Sequence, residues 1–188
     1  MLLNHTKENK PWLLLIFLLF ALIYSSISLI NHYNFRTFAL DLGMANHAIY
    51  DYAHFRSNIT TLLLDSPPTN FLASHFTLIP MLVSPLYWLF DSYTLLLVQI
   101  LAVLFGGWGI YRYTASRTSS VNLPVLLVLH FFLFTGIYSA LAYDYHDNVV
   151  AAMLMPWFLH YFEQKKLKTA LIFLVLILVS KENMALWA

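Results

Sequence analysis

The sequence contains no cysteine. Disulfide bonds, thiolate metal sites and a cysteine nucleophile are therefore excluded, and the redox compartment leaves no trace. Charge is scarce as well: only 10% of the 188 residues are Asp, Glu, Lys or Arg, against about 25% in an ordinary soluble domain. So little charge cannot cover a water-facing surface. The balance is a net +1, which argues against a nucleic-acid partner. No phosphate-binding glycine loop, nucleophile elbow or His-Glu-x-x-His helix occurs anywhere in the chain.

What is present is apolar. Hydrophobic residues make up 60% of the chain and aromatics 17%, with a mean hydropathy of +0.69. These values predict an all-α integral membrane protein. Lys7 and Lys10 precede the first apolar run, as in a signal peptide. That run, Pro11 to Leu29, is about 19 residues long and no Ala-x-Ala pattern follows, so it predicts an uncleaved span. Apolar runs predict five transmembrane helices at about 12–30, 93–111, 123–141, 148–162 and 170–187. Residues 1–11 form an N-terminal segment, and 12–188 a single membrane domain. The abrupt apolar end at Ala188 leads us to expect the N-terminal part of something longer, or a truncated, inactive fragment.

Between the first two spans lies a polar loop, 31–92. Within it 41–55 has a helical stripe: Ala45, Ala48, Ile49, Tyr52 and Phe55 share one face, and His47, Asp51 and His54 another. The split predicts an interfacial helix with its apolar face in lipid. Asp65-Ser66-Pro67-Pro68 then breaks the chain. The run 76–90 holds Pro80 and Pro85 and is short for a span, which predicts a second interfacial or re-entrant helix. Basic residues decide its topology. If 76–90 does not cross, Lys7, Lys10, Arg112, Arg117, Lys165, Lys166 and Lys168 lie inside and Arg36, Arg56 and Lys181 outside, seven against three. If it crosses, the count reverses. Lys and Arg accumulate in cytoplasmic loops, so the N-terminus is expected in the cytoplasm and the protein in the plasma membrane.

That topology gathers the scattered acids and histidines on the outer side. Asp41 is a candidate general base or metal ligand there, or the N-cap of the following helix. Asp144 and His146 are candidate ligands for a divalent metal ion, or part of a polar turn in which Asp147 or Asn148 caps the next helix. Lys181-Glu182 lies inside an apolar segment, where ionisable residues are functional candidates. Lys181 could hold a phosphate, or the two form a neighbouring ion pair at the end of a span with Lys181 snorkelling to the headgroups. His75 opens the 76–90 run and is either a substrate contact or a satisfied interfacial residue. Asn4-His5-Thr6 and Asn58-Ile59-Thr60 match glycosylation sequons, a pattern that also arises by chance.

Read in order, Phe38-Ala39-Leu40-Asp41-Leu42-Gly43, His75-Phe76, Pro85-Leu86-Tyr87, Gln99, Asp144-Tyr145-His146 and Lys181-Glu182 resemble an uncharacterised group of prokaryotic membrane proteins, domain of unknown function 2079. The resemblance runs from about Arg36 to the end. Where that pattern has Gln and Trp, this chain has His47 and Tyr50, and Asn183 replaces an acid. The group is associated with C-type glycosyltransferases, which use polyisoprenyl-phosphate sugars. The resemblance implies that Asp41 is their essential outer-loop acid; His75, Lys181 and Glu182 are the candidate substrate contacts. The alternative expectation is a transporter or lipid-handling membrane protein without catalysis, with Lys181-Glu182 on a substrate or proton path.

Overall fold

The computed structural model describes residues 10–61, 67–74 and 76–186. It is helical throughout, apart from one antiparallel two-residue ladder in the first loop, β1 (Ile59–Thr60) against β2 (Thr69–Asn70), pairing Ile59 with Asn70 and Thr60 with Thr69. Two stretches are long and apolar enough to cross a membrane, Pro11–Tyr33 and Ile79–Ala115. A bent pair, Leu123–Phe132 with Thr135–Tyr143, makes a third.

The first stretch is α1 (Lys10–Tyr33), and α2 (Asp41–Ala53) follows a tight turn. A single turn, α3 (Phe71–Ser74), leads into α4 (Ile79–Val83), a 3-10 turn and α5 (Tyr87–Phe90). A second 3-10 turn then starts α6 (Thr94–Ala115). The expected separate helix over 76–90 is thus a broken lead-in that runs straight into α6, interrupted at Asp91, whose φ is 49°. The 37 residues of Ile79–Ala115 would extend about 55 Å if fully helical, nearly twice the ~30 Å of a hydrocarbon core. The 22-residue α6 is itself about 33 Å long, which leaves α4 and α5 beyond it.

Three expectations for α2 divide here. Ala45, Ala48, Ile49 and Tyr52 are buried, as their spacing predicts. Their face, however, packs against protein rather than lipid: Phe71, Ile79, Leu95, Leu96, Tyr145 and Val150 complete the cluster. Phe55 leaves that face altogether. The helix ends at Ala53, and Phe55 is fully exposed with φ 57°, a left-handed turn that a periodic pattern does not encode. The Asn58 sequon is closed as well, because Asn58 is fully buried and its Nδ2 donates to Asp51 Oδ2 at 2.9 Å.

After α6 come α7 (Leu123–Phe132), α8 (Thr135–Tyr143), α9 (Asp147–Glu163) and α10 (Leu167–Ser180). The expected straight helix over 123–141 is two helices meeting at 40°. The break frees helix carbonyls in an apolar setting, where each needs a partner. Tyr24 of α1 supplies one: its hydroxyl donates to the Phe132 carbonyl at 2.7 Å. The last helix is also shorter than expected. It stops at Ser180, Lys181 is extended, and a 3-10 turn follows at Glu182–Leu186.

Helix α6 is the axis of the bundle, in contact with α1, α7, α8 and α9. Its glycines permit the close approach. A Cβ at Gly106 would stand 2.9 Å from Met153 Sδ of α9, and one at Gly109 2.9 Å from Trp157 Nε1. A Cβ at Gly107 would collide with the Phe132 ring. That ring cannot swing away, because it is fully buried among Phe17, Phe20 and Tyr24. Gly107→Leu is therefore expected to destabilise the bundle by about 1–3 kcal/mol. A lower unfolding midpoint in detergent supports this packing, and an unchanged midpoint contradicts it.

Candidate functional site

Six chain segments end together at one end of the bundle, and the chemistry-bearing residues sit on those ends. The first is Asp41, the opening residue of α2. Its approach is fixed by His32 at the end of α1. One His32 ring nitrogen meets Thr37 Oγ1 at 3.1 Å and the other meets Ser92 Oγ at 3.0 Å. Asn46 adds a bond to the Ser92 carbonyl at 3.2 Å. The turn before α2 is thereby tied to the start of α6.

Asp41 does not cap its helix, since no side-chain cap bond forms there. Its Oδ2 instead accepts a 2.6 Å hydrogen bond from the Tyr143 hydroxyl, 102 residues away. Tyr143 closes α8. Asp144, Tyr145 and His146 then cross to α9 in extended conformation. Tyr145 is buried and its hydroxyl donates to Asp147 Oδ1 at 2.6 Å. That bond occupies Asp147, which makes no side-chain cap bond.

Buried Gln99 of α6 holds this crossing. Its Nε2 donates to the Asp144 carbonyl at 2.6 Å, and its Oε1 accepts from the His146 backbone N–H at 2.6 Å. Asp144 is fully buried, and neither carboxylate oxygen has a close hydrogen-bond partner. The His146 Nδ1, 3.3 Å from Asp144 Oδ1, is its counter-charge. Conversely, the Asp144 carboxylate raises the His146 pKa above the ordinary histidine value, against the partial burial of the ring and the nearby positive charge of Lys181.

Lys181 arrives from α10. The segment 76–78 pairs with the end of that helix: Leu78 N–H donates to the Val179 carbonyl at 2.9 Å, and Glu182 N–H to the Phe76 carbonyl at 3.1 Å. Lys181 lies close enough to act on the charges of both His146 and Asp147. It is half-buried, while Glu182 is exposed. The pair therefore lies past the helix end rather than inside an apolar span.

The structure thus brings Asp144, His146 and Lys181 together and links Asp41 to them through Tyr143. His75 lies outside the described residues. Asp144 and His146 stand side by side, but among the described residues no three His, Asp or Glu side chains are grouped to hold a metal. The His47, Asp51, His54 stripe serves the loop instead. Asp51 accepts from Asn58 and lies 3.5 Å from His47 Nε2, and His54 Nδ1 meets the Tyr50 carbonyl at 2.8 Å. Tyr143 and the clamping role of Gln99 escape a search centred on charge. A polar side chain inside an apolar span is itself a signal for Gln99. Tyr143 leaves no such signal, because tyrosine is common in this chain.

Helices with apolar outer faces, and a polar cluster at one end, are the pattern of an all-α membrane protein. The chain belongs to the family described as predicted membrane protein, DUF2079, whose model matches residues 31–188. Comparison with curated proteins and with solved structures found no match.

The His146 pKa can be measured. Its charged form is favoured, so the imidazolium persists to higher pH than in an ordinary histidine, which titrates near ~6.5. Its stabilising contribution is complete below that ordinary value and is lost as pH rises through the raised one. NMR titration of labelled histidine should place the His146 midpoint above the ordinary value, and Asp144→Asn should lower it. A midpoint unmoved by Asp144→Asn contradicts the pairing.

Proposed function

We propose that this protein transfers a sugar from a polyisoprenyl-phosphate donor at the outer face of the plasma membrane, with Asp41 as the general base. One observation carries the proposal: an exposed carboxylate is held by Tyr143 at the same end of the bundle as Lys181 and the Asp144-paired His146. The hydrogen bond occupies Oδ2 and leaves Oδ1 as an acceptor. Asp41 takes the proton of an acceptor hydroxyl. The hydroxyl oxygen then bonds to the anomeric carbon of the donor, and the bond from that carbon to the phosphate oxygen breaks. The lipid phosphate leaves with the electron pair, and its charge is met by His146 and Lys181. Tyr143 positions Asp41, and Asp144 favours the protonated form of His146. No step passes through a metal.

The topology proposed with this function has five spans, α9 and α10 being the last two, and a cytoplasmic N-terminus. The distribution of charge supports it. The opposite end of the bundle carries Arg112, Arg117, Lys165, Lys166 and Lys168, with Arg117 ion-paired to Glu163 and Tyr113 bonded to the same carboxylate at 3.0 Å. A basic end is the cytoplasmic end. At 17 and 14 residues, α9 and α10 reach only about 25 and 21 Å. They cross if the bilayer thins or if their flanking residues snorkel.

Asp41→Asn keeps the shape of the side chain and removes the base. Transfer of labelled sugar in membranes from cells expressing the variant should fall by about 10²–10⁴ at unchanged protein level. Full activity in that variant rules out the assignment.

A further inference from the structure

Phe38 stands in the turn that carries Asp41. Its carbonyl accepts from Leu42 N–H at 3.1 Å, so its backbone already belongs to the first turn of α2. The ring stacks on Tyr143, with centroids 4.0 Å apart and planes at 17°. Tyr143 covers one face, yet the side chain is still 49% exposed, which leaves the other face open. The open aromatic face is therefore held rigidly, by the stack on one side and by the helix backbone beneath.

A carboxylate stands in the same turn. Asp41 contributes an acceptor, and the Tyr143 hydroxyl fixes its position. The His146 ring lies 5.1 Å from that of Tyr143 at 72°. Its side chain is 46% exposed. This combination selects among ligands. An acyl or isoprenyl chain would use the aromatic face but leave the carboxylate unpaired. A free phosphate would be repelled by Asp41 and gain nothing from Phe38. A pyranose uses both: its axial C–H groups meet the electron-rich face of an aromatic ring, and a hydroxyl donates to the carboxylate.

We propose that the open face of Phe38 seats the pyranose ring of the acceptor, with one hydroxyl directed at Asp41, so that the acceptor is itself a saccharide. This rests on the transfer function proposed above and specifies its acceptor. Phe38 is then a specificity-determining residue.

The test uses the full chain in nanodiscs, with methyl glycosides of glucose, galactose, mannose and N-acetylglucosamine as probes. Binding is read by saturation-transfer NMR against empty nanodiscs. At least one glycoside should bind. Phe38→Ala should weaken it by on the order of tenfold, while Phe38→Trp, which keeps a stacking face, retains it. The thermal midpoint of each variant shows that it is folded. Absence of binding by all four probes, or equal binding to Phe38→Ala, overturns the proposal. Asp41→Asn separates the two ideas. If it transfers sugar normally while glycoside binding still depends on Phe38, the base assignment fails and the saccharide seat stands.

Discussion

The site depends on one buried carboxamide. Between α8 and α9 the chain leaves helical geometry for three residues while Asp144 and Tyr145 stay buried. Irregular backbone away from water must find partners within the protein. Gln99 provides them, donating to the Asp144 carbonyl and accepting from the His146 N–H. An aliphatic residue at this position would leave both backbone groups unpaired, at a cost of about 1–3 kcal/mol for each. With the clamp in place the extended crossing has a fixed register. Tyr145 turns inward to Asp147, and His146 stays beside Asp144.

From that clamp the bundle can be followed outward. Gln99 lies near the start of α6, the helix that contacts most of the others. The α6 glycines let α7 and α9 approach closely. The turn before α2 is tied to the start of the same helix through His32 and Asn46. Asp41 and Tyr143 therefore meet because both are referenced to α6, although 102 residues separate them. At the far end, Arg117 and Tyr113 of the α6 end hold Glu163 of α9.

The helical class was legible in composition, and the polar residues of the site were legible because each is costly in so apolar a chain. Asp41, Asp144, His146 and Lys181 stand out for that reason. Their partners were not legible, since pairings such as Tyr143 with Asp41 or Gln99 with the Asp144 backbone span tens of residues and follow from packing. Periodicity named the buried face of α2 correctly but could not say whether lipid or protein covers it. The end of α2 before Phe55 depends on a left-handed turn, and the end of α10 at Ser180 on backbone pairing with 76–78. Neither event has a local sequence mark. The bend between α7 and α8 likewise has no proline to announce it, and its freed Phe132 carbonyl is met by Tyr24 from a different helix.

The central claim is that Asp41, the Tyr143–His146 crossing and Lys181 share one side of the membrane, opposite the basic end. Topology reporters inserted after Arg56, Arg117, Asp147 and Lys168 test it most directly. The account predicts that Arg56 and Asp147 report the outer side, and Arg117 and Lys168 the cytoplasm. Arg56 and Asp147 on opposite sides would contradict it, because the two halves of the site would then be separated by the bilayer.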